Sequence, residues 1–200
     1  MADLVWYVAY GSNLGRARLQ RYLDQGPEPT PPRAERPRTI GPAGFFAGEA
    51  QVWGGGRAYL DHTMVEPAGT PARAWLLTRV QWDHLHARES GSDHTAGTEP
   101  GSLAVGEVRV VGEGRYDALI GLGRHDGVPV ATFTRPEPLD LTTCTRPAAD
   151  DRRAIATGLA EAHGLTPDEA AAYLASRPGM AGCWTVAEVR AALRAEARPG

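Results

Sequence analysis

The apolar run near the N-terminus constrains the fold more than any other segment of the chain. Residues 4–10 are almost all apolar or aromatic and stop at Gly11, which is typical of a buried strand that ends in a turn. We therefore predict a strand, a tight turn and an amphipathic helix that begins at Ser12 or Asn13. The apolar positions that would share one face of this helix are Leu19, Tyr22 and Leu23.

This turn has two interpretations. The first backbone N–H groups of a helix have no partner within it, so they form a site where a carboxylate binds readily. Gly11 would let a ligand approach the backbone, and the side chains of Ser12 and Asn13 could cap the helix or contact the ligand. An ordinary capped turn without a ligand has the same pattern, and these residues alone leave both interpretations open.

A carboxylate at residue 89 is the second notable feature. Residues 74–77 predict a strand, Thr78 an N-cap, and residues 79–89 a helix that ends where Glu89 precedes Ser90 and Gly91. A glutamate at such a helix end is usually solvated and opposes the helix dipole. By itself it therefore does not indicate catalysis.

Taken together, these features resemble the signature of the γ-glutamylcyclotransferase-like family. Residues 10–14 read Tyr-Gly-Ser-Asn-Leu after a strand, residues 53–59 form a glycine-rich approach to another strand, and Glu89 precedes a glycine. The resemblance covers the chain up to Glu89. It implies an α+β fold, a small mixed β-barrel with flanking helices, and an enzyme of the lyase or acyltransferase class.

The resemblance also implies a reaction and a set of site residues. A γ-glutamyl amide would cyclise to 5-oxoproline and release a free amine, with Glu89 as the catalytic residue that moves the protons. No metal, cofactor or covalent intermediate is needed. The expected substrate-binding residues are Tyr10, Gly11, Ser12, Asn13, Leu14, Trp53, Gly55, Tyr59 and Tyr116.

The remaining chain predicts a barrel up to about residue 135 and a C-terminal helical extension over about residues 148–197, within a single domain of residues 1–200. Residues 26–38 are rich in Pro and Arg and predict a loop. Residues 107–111, 116–120 and 128–133 predict strands, the last two joined by a hairpin turn at His125, Asp126 and Gly127. Thr166 and Thr185 have the spacing of helix N-caps. Residues 91–106 would be a flap beside the site or a plain surface insertion.

The composition limits the classes of binding partner that we expect. The net charge is −3 and the hydrophobic content 42%, so no basic excess indicates nucleic acid or an anionic membrane. All 21 basic residues are Arg, which suggests a GC-rich bacterial genome. Two cysteines, Cys144 and Cys183, are too few for a disulfide framework. We expect a cytoplasmic protein with a small-molecule γ-glutamyl amide as its partner, and the oligomeric state stays open.

Three alternatives remain. Ser12 could be a hydrolase nucleophile, but the Gly-x-Ser-x-Gly pattern is absent. His84 and His86 could bind a metal, but their spacing places them on different sides of a helix and surface histidines explain them equally well. The domain could also be a non-catalytic ligand-binding or regulatory module on the same barrel. The leaving amine is open as well, from peptide turnover to deprotection in antibiotic biosynthesis, as in the butirosin cyclotransferase.

Overall fold

The computed structural model describes residues 3–48, 55–91 and 99–196. Over these ranges the chain is a mixture of helices and strands, as predicted. Trp53 and residues 92–98 of the predicted flap lie outside the described residues. The strands are β1 (Leu4–Ala9), β2 (Ala34–Ala47), β3 (Arg57–Thr78), β4 (Val108–Val110), β5 (Ala118–His125) and β6 (Val128–Thr134). The α-helices are α1 (Arg16–Leu23), α2 (Arg79–Ser90), α3 (Ala149–His163), α4 (Pro167–Ser176) and α5 (Val186–Glu196).

The six strands form one mixed sheet in the order β2-β3-β1-β6-β5-β4. β1 pairs antiparallel with β3, from Leu4 opposite Thr78 to Ala9 opposite Arg73, and parallel with β6. Because β1 has a neighbour on each side, its backbone groups are paired and its apolar residues are buried. The α+β class and the mixed sheet are therefore confirmed.

Two compact units, each made of three chain segments, are distinguished by their internal contacts. The first contains Met1–Ala9, Leu19–Arg38 and Arg73–Glu137, and the second contains Tyr10–Arg18, Thr39–Ala72 and Pro138–Gly200. The segments of both units alternate along the chain. The organisation predicted from the sequence, one domain with a barrel and a C-terminal extension, stays a prediction.

An aromatic cluster forms the core of the first unit. Tyr7 of β1 stacks on Phe133 of β6 with ring centroids 5.0 Å apart, and Trp82 of α2 contacts both rings edge-on. The β5–β6 hairpin turns through Asp126 (φ 51°) and Gly127 (φ 78°), with His125 paired to Val128. Two successive residues with positive φ match the right-handed twist of the strands. The hairpin turn predicted at residues 125–127 is therefore confirmed, with Asp126 and Gly127 as its two central residues.

The loop predicted for residues 26–38 is wrong from Ala34 onward, where β2 begins. Its first residues include the exposed Arg36 and Pro37. β2 lies at one edge of the sheet, and among the described strands its only neighbour is β3. An edge strand tolerates a proline and charged side chains because one side of its backbone needs no sheet partner.

Helices α3 to α5 supply most residues of a buried hydrophobic cluster in the second unit. α3 ends at Gly164 in the left-handed conformation, and Thr166 and Glu169 form a capping box at the start of α4. Thr185 and Glu188 make the corresponding hydrogen bonds at α5. These caps agree with the sequence predictions. Among the described residues, no helix combines the length and apolar character needed to cross a bilayer.

Candidate functional site

The turn after β1 differs from the sequence prediction. Ser12–Leu14 form a single turn of 3-10 helix, in which the Leu14 N–H donates to the Gly11 carbonyl over 3.0 Å. The chain is extended at Gly15 (ψ 129°), and α1 begins only at Arg16. The prediction that a helix begins at Ser12 or Asn13 is therefore wrong, although the sharp turn after Gly11 is present.

Packing within the second unit explains this break. Leu14 is fully buried in the core made by α3, α4 and α5. Gly158 of α3 lies so close that a Cβ on it would be 2.6 Å from the carbonyl carbon of Leu14 and from the nitrogen of Gly15. The chain turns at Gly15 because Leu14 must enter this core, and local helix propensity does not decide the path.

The turn lies against the start of β3. A Cβ on Gly11 would come within 3.0 Å of the Ala58 Cβ, so glycine allows the two backbones this approach. Tyr59, the next residue of β3, is buried with its ring 5.8 Å from that of Phe45. Tyr10 is also buried. The second unit thus brings Gly11 together with the strand that carries Tyr59, whereas the Leu14 side chain packs in the core.

The structure explains why residue 55 is a glycine. Its φ is +119°, and a Cβ there would lie 2.7 Å from the Ala148 nitrogen and 2.8 Å from the Arg146 carbonyl oxygen. The N–H of the following Gly56 donates to that same carbonyl over 2.6 Å. Only glycine fits a backbone this close to another. A role for Gly55 in substrate binding stays a prediction.

Glu89 lies in the last turn of α2, as predicted. A capping box between Thr78 and Gln81 begins the helix, and Gly91 ends it in the left-handed conformation at φ 72°. Glu89 is only 8% exposed. Carboxylates are rarely buried to this degree unless they are paired or functional. The helix around Glu89 is confirmed, and its catalytic role stays a prediction.

His86 and Ser90 of α2 form a buried polar cluster with Asp117, which the sequence did not indicate. The His86 Nε2 lies 3.1 Å from the Tyr116 carbonyl oxygen, 3.1 Å from the Ser90 Oγ and 3.3 Å from the Asp117 Oδ1. His86 is 1% exposed, so the interpretation of it as a surface histidine is wrong. The available signal was helical spacing, because His86 and Ser90 share the face of α2 that buries Trp82.

These residues do not form a hydrolytic triad. A triad uses both ring nitrogens of histidine, one for the carboxylate and one for the nucleophile. Here Ser90 and Asp117 both face Nε2, and both side chains are buried. His84 makes a separate contact, with its Nε2 3.1 Å from the Tyr22 carbonyl oxygen. No group of three metal-ligating side chains occurs in the ranges that the structure describes.

Tyr116 lies beside the end of α2. Its ring contacts Phe133 edge-on with centroids 5.9 Å apart, and His86 also packs against Phe133. Since the Tyr116 carbonyl accepts from His86, the first unit brings this predicted substrate-binding residue close to the helical turn that carries Glu89.

The electrostatics of His86 predict a pH effect on stability. Burial lowers the pKa of His86, although the Tyr116 carbonyl and the carboxylates of Asp117 and Asp83 favour its charged form. An unfolded histidine takes up a proton near pH 6.5. Between the lowered pKa of the folded state and about pH 6.5, His86 therefore binds more protons in the unfolded chain than in the folded chain, and its contribution to the free energy of unfolding falls as the pH is lowered through this range.

We expect His86→Gln to remove this contribution, which is at most about 1.4 kcal/mol per pH unit. Urea denaturation at several pH values on both sides of about 6.5 measures it. Wild type should lose stability towards low pH more steeply than the variant. Equal slopes would contradict a neutral buried His86.

Comparison with known proteins supports the fold. No family model and no curated protein sequence matches the chain. A solved structure described as a gamma-glutamyl cyclotransferase aligns with 96% of this chain and 99% of its own, with a TM-score of 0.52 and 15% identity. A crystal structure of an uncharacterised protein from Homo sapiens aligns over the same shares, with a TM-score of 0.48 and 15% identity.

Proposed function

Because this chain has a γ-glutamyl cyclotransferase-like fold, we propose that it cleaves a γ-glutamyl amide to 5-oxoproline and a free amine. The observation that carries the proposal is Glu89, a buried carboxylate at the end of α2. It occupies the position that the family signature requires downstream of residues 10–14. The likeness of the fold and the signature support the same reaction.

The proposed reaction is an intramolecular acyl transfer. The substrate's α-amine attacks its own γ-carbonyl carbon, a C–N bond closes the five-membered lactam, and the original amide C–N bond breaks. Conversion of the α-ammonium group to the lactam N–H releases two protons. Glu89 accepts them in turn and returns one to the departing nitrogen as the amide bond breaks, and the second protonates the released amine or goes to water. Since nucleophile and electrophile belong to one molecule, correct orientation contributes on the order of 7–11 kcal/mol.

We assign recognition of the substrate's α-carboxylate to the turn at residues 11–14. In this 3-10 turn the Ser12 N–H precedes the first intra-turn donor, which is Leu14, so it can serve an external carboxylate. Under this proposal Ser12 positions the substrate and is not a nucleophile. Tyr10 and Tyr59 of the same unit would supply apolar walls.

A panel of γ-glutamyl amides tests the proposal. The purified protein is incubated with glutathione, γ-glutamyl amino acids and γ-glutamylamines, and products are identified by mass spectrometry. We expect 5-oxoproline and the free amine from at least one class of substrate. Free glutamate would indicate hydrolysis and refute the cyclisation. Binding without turnover by any member would instead support the non-catalytic module.

A further inference from the structure

We propose that His86 and Asp117 form a buried brace that fixes the last turn of α2 to residues 111–117 and so positions Glu89 and Tyr116. The functional part of this inference rests on the proposed function, because it assumes that Glu89 and Tyr116 serve the reaction. His86 and Asp117 are positioning residues: both are buried and act through their neighbours.

The ring of His86 has one tautomer that suits this environment. Besides the Ser90 hydroxyl, Nε2 faces two acceptors: the Tyr116 carbonyl at hydrogen-bond distance and the Asp117 Oδ1 at 3.3 Å, without hydrogen-bond geometry. Nδ1 is buried without a hydrogen-bond partner among the described residues. A proton on Nδ1 would be an unsatisfied buried donor and would leave a lone pair facing the two acceptors. The proton therefore belongs on Nε2, where it links α2 to the backbone of residue 116.

Asp117 organises the other side of the brace. Its Oδ2 accepts from the Gly114 N–H over 2.7 Å, and its backbone carbonyl accepts from the Val111 N–H over 2.8 Å. A Cβ on Gly114 would lie 2.8 Å from that carboxylate oxygen and 2.9 Å from the Ser90 carbonyl oxygen. Residues 111–117 thus fold around one carboxylate, and glycine is required where they pass closest to α2.

A direct backbone hydrogen bond connects this segment to the residue after Glu89. The Arg115 N–H donates to the Ser90 carbonyl over 3.1 Å. The last carbonyls of a helix have no partner within it, and such ends fray unless another group satisfies them. Because Glu89 lies between His86 and Ser90 in sequence, holding both of these residues restricts the backbone that carries the Glu89 carboxylate.

The functional test compares His86→Leu and Asp117→Asn with His84→Leu. The control removes a histidine from the same helix that likewise bonds a backbone carbonyl, that of Tyr22. We expect the two brace variants to lower kcat for 5-oxoproline formation about 100-fold, because a misplacement of about 1 Å costs that much. The control should stay near the wild-type rate. His86→Gln should recover most of the loss, because its amide can donate to the Tyr116 carbonyl.

A second measurement needs no activity. Amide hydrogen exchange of residues 86–91 and 111–117 should become faster in both brace variants and not in His84→Leu, with β1 unchanged. Asp117→Asn keeps the side-chain volume, so this variant still tests the brace if His86→Leu does not fold. Unchanged exchange in Asp117→Asn, or a kcat loss no larger than that of the control, overturns the brace. If wild type forms no 5-oxoproline, the proposed function fails, while exchange still decides the brace.

Discussion

Replacing Glu89 with glutamine is expected to lower the rate of 5-oxoproline formation by about 10²- to 10⁴-fold, the usual contribution of a general acid–base group. Glutamine has the same shape but cannot accept the proton of the α-ammonium group. Substrate affinity should remain within a few-fold of wild type, because recognition is assigned to the turn at residues 11–14. Single-turnover kinetics with the best γ-glutamyl amide of the panel, together with calorimetric binding, separate the two effects.

Glu107→Gln is the matched control for this experiment. The Ala104 N–H and the Arg109 guanidinium hold the pKa of Glu107 below its usual value, so this carboxylate is a poor proton acceptor. Its replacement should leave the rate nearly unchanged. A large loss of rate in Glu107→Gln with normal turnover by Glu89→Gln would show that Glu89 is not the base and refute our mechanism.

Gly158→Ala is expected to destabilise the protein by about 1–3 kcal/mol, the range for overpacking a core. The direction of this change in the free energy of unfolding is informative, since alanine in place of glycine within a helix ordinarily stabilises the helix by about 1 kcal/mol. The added Cβ would lie 2.6 Å from the backbone of Leu14 and Gly15. Leu14 belongs to the turn that we assign to the substrate carboxylate and Gly15 follows it directly, so KM should also rise.

Urea denaturation and steady-state kinetics check both parts of this prediction. Thr157→Ala is the control, because Thr157 is the preceding residue of α3 and is exposed. It should keep the wild-type KM and the wild-type stability or slightly better. A Gly158→Ala variant that is more stable than wild type would show that α3 does not pack against the turn as described.

Local signals predicted much of the structure. The apolar segments within residues 116–120 and 128–133 and the turn at Asp126 and Gly127 identify the β5–β6 hairpin, and Thr166 with Glu169 identifies the start of α4. These signals are reliable because each depends on backbone conformation and hydrogen bonds within a few residues. Edge strand β2 was missed from Ala34 because its Pro and Arg residues have the composition of a loop.

The candidate site, too, was predicted only in part from local sequence signals. The sequence by itself determined the glycine turn after β1, the helix that ends at Glu89 and, through family resemblance, the reaction to test. Only the tertiary structure decided that a 3-10 turn replaces the expected helix start, that Glu89 is buried, and that His86 meets Asp117. The reason is physical: burial and contacts between residues distant in sequence depend on how the elements pack, which no short window of residues encodes.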